Sequence, residues 1–164
     1  NKIIEIIKNK NPENIKDAWT CYRIGESYLK QNKLTKSIDF LKKSVEIKPF
    51  ALDFQSKLGN AYLQNKNIIE AKKVFLFIEN ENPRNADAQQ GLGYIAMQEN
   101  NFSLAKKYLK TAVMLNPDHV QTLINLAVTY YQSNEKVFIK PLLLHALKLE
   151  PNNVQVKAML ADIL

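Results

Sequence analysis

Apolar and polar positions alternate along this chain with the spacing of helices, three and four residues apart, and the helical runs are short. Each run ends in a polar cluster or a proline. Polar clusters at Gln31–Lys33, Asn65–Asn67, Glu99–Asn101 and Ser133–Glu135 mark one kind of break. Pro49, Pro83, Pro117 and Pro151 mark the other, and these four prolines follow one another at a single constant interval without a slip. A proline pushes the residue before it out of the α region, so a helix must stop there. The pattern predicts a repeated unit: helix A, a short turn, helix B, a short proline-bearing turn.

Other positions keep the same period. Gly25, Gly59 and Gly93 recur and give way to Ala127 in the fourth unit, each preceded by an aliphatic residue (Ile24, Leu58, Leu92, Leu126). Three residues later stand Tyr28, Tyr62, Ala96 and Tyr130. Helix B carries a small residue at Ser37, Ala71 and Ala105, and a bulky one four later at Leu41, Phe75, Leu109 and Leu143. A mid-helix glycine costs about 1 kcal/mol relative to alanine. Three at one phase therefore predict a close crossing of helices A and B that offsets the cost. The fourth unit departs: Ile139 replaces the small residue and Pro141 falls early in helix B, which predicts a late start near Phe138 and looser or shifted packing.

These residues resemble the tetratricopeptide repeat, with its W-x2-L-G-x2-Y, A-x3-F and P positions in a unit of roughly 34 residues. The second unit reads Gln55-x2-Leu58-Gly59-x2-Tyr62, then Ala71-x3-Phe75, then Pro83. The signature tryptophan is missing from every unit; Cys21 stands in its place in the first, with Trp19 two residues before. The resemblance implies an all-α fold, a right-handed superhelical solenoid of antiparallel helix pairs. The expected organisation is a partial repeat over 1–14, repeats over 18–51, 52–85, 86–119 and a degenerate 120–153, and helix A of a further repeat over 154–164. In the partial repeat, Ile3, Ile4 and Ile7 take the helix B phase if Pro12 is its proline, which lengthens the first connection by three residues. Val156, Leu160, Ile163 and Leu164 do not form a polar cap, so further repeats or a partner are expected past the last helix.

Composition narrows the function. Apolar residues make up 46% and charged residues 24%, enough for a packed core under a solvated surface. No apolar run reaches the roughly 18 residues of a membrane helix. The net charge is +7, but Lys outnumbers Arg 21 to 2, and phosphate and base readers lean on the bidentate arginine fork. Nucleic acid is therefore not the expected partner. A single cysteine, Cys21, excludes an internal disulfide and agrees with a reducing, cytoplasmic setting. His119 and His145 have no ligand partners at metal spacing. Gly91 to Ala96 spells G-x-G-x-x-A, but a helical pattern precedes it where a nucleotide loop needs a strand. No cofactor and no catalysis are expected.

The resemblance places a binding groove on the helix A faces. The first unit would present Trp19, Tyr22, Glu26 and Leu29, and the second Asp53, Ser56, Asn60, Leu63 and Gln64. The third would present Asp87, Gln90, Tyr94, Met97 and Gln98, and the fourth Gln121, Ile124, Val128, Tyr131 and Gln132. Gln64, Gln98 and Gln132 recur at the period, either as an amide ladder toward a partner backbone or as caps of helix A. The family's clamp for a terminal carboxylate is not matched: its phases hold Tyr22, Glu26, Lys57, Asp87 and Gly91, with one basic residue. The asparagine ladder of its sugar-transferase members is not matched either, since that phase reads Arg23, Lys57, Gly91, Asn125 and Met159. The expected function is a scaffold that holds a peptide or helix of a partner protein, with Trp19, Tyr22, Tyr94 and Tyr131 as anchors. The competing expectation is an assembly element that self-associates through its terminal helices. The period-spaced Lys72, Lys106 and Lys140 read as a solvated helix B exterior or as a contact for an anionic partner.

Overall fold

A computed structural model describes residues 13 and 15–163, without the side chain of residue 163. The N-terminal Ile helix expected over 1–14 lies outside the described residues, apart from Glu13. The described residues are helical throughout and contain no strand. In chain order, α1 spans Ala18–Lys30, α2 Leu34–Ile47, α3 Leu52–Gln64, α4 Ile68–Glu81 and α5 Ala86–Gln98. Then follow α6 at Phe102–Leu115, α7 at Val120–Gln132, a 3-10 turn at Lys136–Phe138, α8 at Ile139–Leu149 and α9 at Val154–Ile163. The chain divides into two compact units, one ending at Asn80 and the other beginning at Glu81.

Each A-to-B turn is built the same way. Asn32, Lys66, Asn100 and Asn134 take left-handed backbone angles, with φ of 56°, 62°, 57° and 58°. In the first turn Asn32 N–H donates to the Leu29 carbonyl and Lys33 N–H to the Tyr28 carbonyl, which consumes two orphan acceptors of α1. The same pair of bonds recurs one repeat later, from Lys66 and Asn67 to Leu63 and Tyr62. Asparagine tolerates this conformation better than other side-chain residues. Helix starts are capped with similar economy. Asp17, Asn85, Asn101, His119 and Asn153 each accept a bond from the backbone N–H three residues on.

Missing tryptophans are replaced by a different device. Gln55 Nε2 donates to the Pro49 carbonyl at 2.9 Å, and Gln89 Nε2 to the Pro83 carbonyl at 3.0 Å. Both glutamines are buried and stand where the family signature has its ring. Cys21, at the same phase, is fully buried with its Sγ 4.0 Å from the Ile15 carbonyl. Ile15 therefore occupies the proline phase ahead of α1.

The glycine crossings are as tight as their cost required. A Cβ on Gly25 would lie 2.7 Å from Leu41 Cγ, on Gly59 2.7 Å from Phe75 Cζ, and on Gly93 2.6 Å from Leu109 Cγ. The fourth pair differs. There the A helix carries Ala127, and Ala127 and Leu143 are both fully buried. Its helix B begins at Ile139, one residue beyond the expected Phe138 and three beyond the phase of α2, α4 and α6. Pro141 sits in the first turn of α8, where its absent N–H removes no helical bond. Ile139 is only 1% exposed and joins the core of the second unit.

The last helix is partly buried against the pair before it. Val156 and Leu160 are buried, in the core that also holds Leu143 and Ala146. Val154, Ala158 and Ala161 of α9 are exposed.

Candidate functional site

In the first unit, the three-residue spacing of Trp19 and Tyr22 sets both rings on one face of α1. Tyr22 stacks on Phe54 of α3, with ring centroids 4.6 Å apart and planes 20° from parallel. Trp19 meets both rings edge-on, at 5.7 Å and 81° to Tyr22 and at 4.9 Å and 88° to Phe54. Such geometries contribute about 0.5–1.5 kcal/mol per pair beyond area burial. Phe54 is 1% exposed and forms the floor, while Trp19 keeps 52% of its surface in water. A large indole is thus held in one orientation with its outer face open.

One turn further along α1, Glu26 pairs with Lys57 of α3 at 3.2 Å, and both side chains are about two-thirds covered. An ion pair near the surface contributes at most about 1 kcal/mol. Its consequence for recognition is larger: the one basic residue at a clamp phase has its charge matched by a carboxylate. Asn60 is half-buried and Gln64 exposed. Ser56 is buried, and its hydroxyl has no hydrogen-bond partner among the described residues.

In the second unit, Gln90 and Tyr94 are half-buried on α5, and Gln98 is exposed at its end. Tyr131 is exposed on α7. Together with Val128, Ile139, Met159 and Asp162 it lines a cavity of about 210 Å³. Gln121 Nε2 donates to Asn125 Oδ1 at 3.0 Å, which ties that amide to its own helix. Ile124 is 1% exposed and packs within the core, so it has no surface to offer a partner and is withdrawn from the site. Gln64, Gln98 and Gln132 are the last residues of α3, α5 and α7, and the ends of those helices are closed by backbone bonds from Asn65, Glu99 and Ser133. The three side chains are exposed, and among the described residues the capping alternative finds no bond to support it.

The remaining chemistry-bearing residues have structural work. His119 caps α7, its Nδ1 accepting from Thr122 N–H at 3.3 Å. His145 Nε2 lies 3.0 Å from Asp118 Oδ1. Burial pushes the Cys21 thiol above its ordinary pKa, with Asp17 adding to the rise. Gly91 and Gly93 lie inside α5 and not at its opening, so they do not form a phosphate loop. Among the described residues, no group of three His, Cys, Asp or Glu side chains could hold a metal ion. No helix among them is long and apolar enough to cross a membrane.

Phe54 was not among the sequence candidates. Its phase otherwise holds Thr20, Ala88 and Thr122, and a ring at a small-residue phase was the signal available.

Residues 20–50 and 86–119 both match the family model of the tetratricopeptide repeat. The chain carries tetratricopeptide repeats. Solved structures agree with the repeat fold. The Pseudomonas aeruginosa protein PilF has a TM-score of 0.77 at 20% identity, over 89% of this chain and 67% of its own. MamA from strain MSR-1 has a TM-score of 0.68 at 19% identity, over 93% and 87% of the two chains. MamA from strain AMB-1 has a TM-score of 0.66 at 20% identity, over 90% and 86%. No curated protein matches at a significant level. Within this tetratricopeptide array the aromatic cluster, the Glu26–Lys57 pair and the Tyr131 cavity all stand on A helices or on elements packed against them.

Proposed function

We propose that this tetratricopeptide array is a protein-interaction scaffold whose A helices hold a peptide or helix from a partner protein, without carboxylate-clamp chemistry and without catalysis of its own. The half-open Trp19, braced by Tyr22 and Phe54, carries the reading. An aromatic side chain already fixed in place loses little entropy on binding, and Trp and Tyr dominate interface energetics. Tyr131, exposed beside its cavity, offers a second aromatic anchor. Matched charges at Glu26 and Lys57 favour an apolar or amphipathic ligand over a free terminal carboxylate.

The test is selection of a phage-displayed peptide library on the whole chain, followed by affinity measurement of the enriched peptides. Trp19→Ala and Tyr131→Ala are expected to weaken binding at least about tenfold, as hot-spot truncation does. Enriched peptides that bind both variants as tightly as the parent, with helicity retained, would overturn the proposal.

A further inference from the structure

The late start of α8 leaves a recess on the opposite kind of surface, between B helices. Residues 136–138 form a 3-10 turn where α2, α4 and α6 already run as helix at the same phase. The turn lays the Phe138 ring on Tyr130, with centroids 4.9 Å apart and planes 29° from parallel. Leu126 and Tyr130 of α7 form the floor of a cavity of about 290 Å³. Val113 and Met114 of α6 line one wall, and Phe138 and Leu142 the other. Met114 is 82% exposed and Phe138 51%, so apolar surface lies open on both sides. The volume is at the lower end of ligand pockets, about 300–1,000 Å³, and suits one or two inserted side chains.

The two segments that wall this recess carry lysines and no carboxylate. Helix α6 carries Lys106, Lys107 and Lys110 and no carboxylate. The segment 136–149 carries Lys136, Lys140 and Lys148 and no carboxylate. The B helices of the first repeats are mixed: α2 carries Asp39 and Glu46, and α4 carries Glu70, Glu79 and Glu81. Of the nearby acids, Glu135 is paired with Lys106, and Asp118 accepts a contact from His145 at 3.0 Å. Lys110 stands at the recess itself, and Lys107, Lys136 and Lys140 are exposed.

We propose that this recess is a second docking site, and that its occupant is an acidic segment of a partner protein that inserts one or two apolar side chains and sets Asp or Glu residues against these lysines. Apolar insertion supplies affinity, and the lysines of the two walls supply selection and steering. The enclosed floor of Leu126 and Tyr130 favours inserted side chains over a flat bilayer surface. The site uses none of the groove residues proposed above, Trp19 and Tyr131 included, so either can fail without the other.

The experiment silences the A-helix site with Trp19→Ala and Tyr131→Ala in the whole chain and selects a phage-displayed random peptide library on it. Expected are peptides rich in Asp and Glu around paired apolar residues, bound more weakly as salt rises. Their affinity for the unsilenced chain should fall at least about tenfold on Met114→Asp and on Lys110→Glu. Both positions are exposed, and unchanged helicity shows that folding is intact; Lys140→Glu provides a third reading. The proposal is overturned if no acidic class is enriched, or if the enriched peptides ignore all three substitutions. It is also overturned if phosphatidylserine vesicles bind the chain and the peptides do not compete, or if light scattering shows that a second copy of the chain fills the recess.

Discussion

A methyl group placed on Gly93 would pit helix propensity against packing at a single atom. The added Cβ would sit 2.6 Å from Leu109 Cγ and 2.7 Å from Cδ2, with the Leu109 backbone nitrogen at 3.3 Å. Ordinary carbon contacts are about 3.5–4.0 Å, so about 1 Å of room must be found. Cγ is the branch point of the side chain and not its tip, and Leu109 is fully buried, so it cannot swing aside. Overpacking of this kind costs about 1–3 kcal/mol. Alanine returns about 1 kcal/mol of helix propensity. Gly93→Ala is therefore expected to destabilise the chain by about 1 kcal/mol, in the range of roughly 0–2. Leu109→Ala removes the obstructing atoms and by itself costs about 2–5 kcal/mol. In that background only the backbone-nitrogen contact at 3.3 Å opposes propensity, and Gly93→Ala should reverse sign and stabilise by up to about 1 kcal/mol. Urea unfolding followed by circular dichroism on the four members of this cycle measures the coupling directly. The close-crossing argument is refuted if Gly93→Ala stabilises the parent chain, or if its effect is the same in both backgrounds.

Three further outcomes follow from local geometry. Lys66 holds a left-handed angle that its neighbours in phase give to asparagine, so Lys66→Gly should raise stability by about 0.5–1 kcal/mol in thermal melts, whereas a fall would mean that the lysine side chain contributes something else. Asp17 is held below the usual carboxylate range by the Thr20 hydroxyl at 2.5 Å and then by the Thr20 N–H at 2.7 Å. Its folded pKa is depressed, so the stability it adds is complete above the unfolded value of about 3.9 and is lost as pH falls through the lower native value. Asp17→Asn should flatten that acid limb of the melting curve, and an unchanged slope would count against the capping role. Cys21 is buried with its pKa raised, so alkylation by iodoacetamide at about pH 8 should track global unfolding; fast modification of the native chain would contradict the packing around α1.

The helix faces that carry the candidate residues could be read before their geometry. Trp19 and Tyr22 were legible because a repeat assigns every residue a phase, and the phase assigns it to a helix face. Phe54 was hidden because its phase is a small-residue position elsewhere, and only the structure shows α1 and α3 bringing it beneath those rings. Ile124 had the right phase but the wrong depth: phase fixes direction, and the packing of α9 onto the preceding pair decides how much of that direction stays open. The same packing took up Val156 and Leu160.

The linear pattern alone established the helix count per repeat, the turn positions and the tight A–B crossings. These depend on interactions within a single repeat, where a proline, an asparagine or a missing side chain acts on its own neighbourhood. Tertiary packing decided which surfaces remain exposed, that Lys57 is answered by Glu26, and that a helix starting three residues late opens an apolar recess among lysines. Those features depend on which side chains meet across helices, and a period cannot encode them because they arise where successive repeats differ.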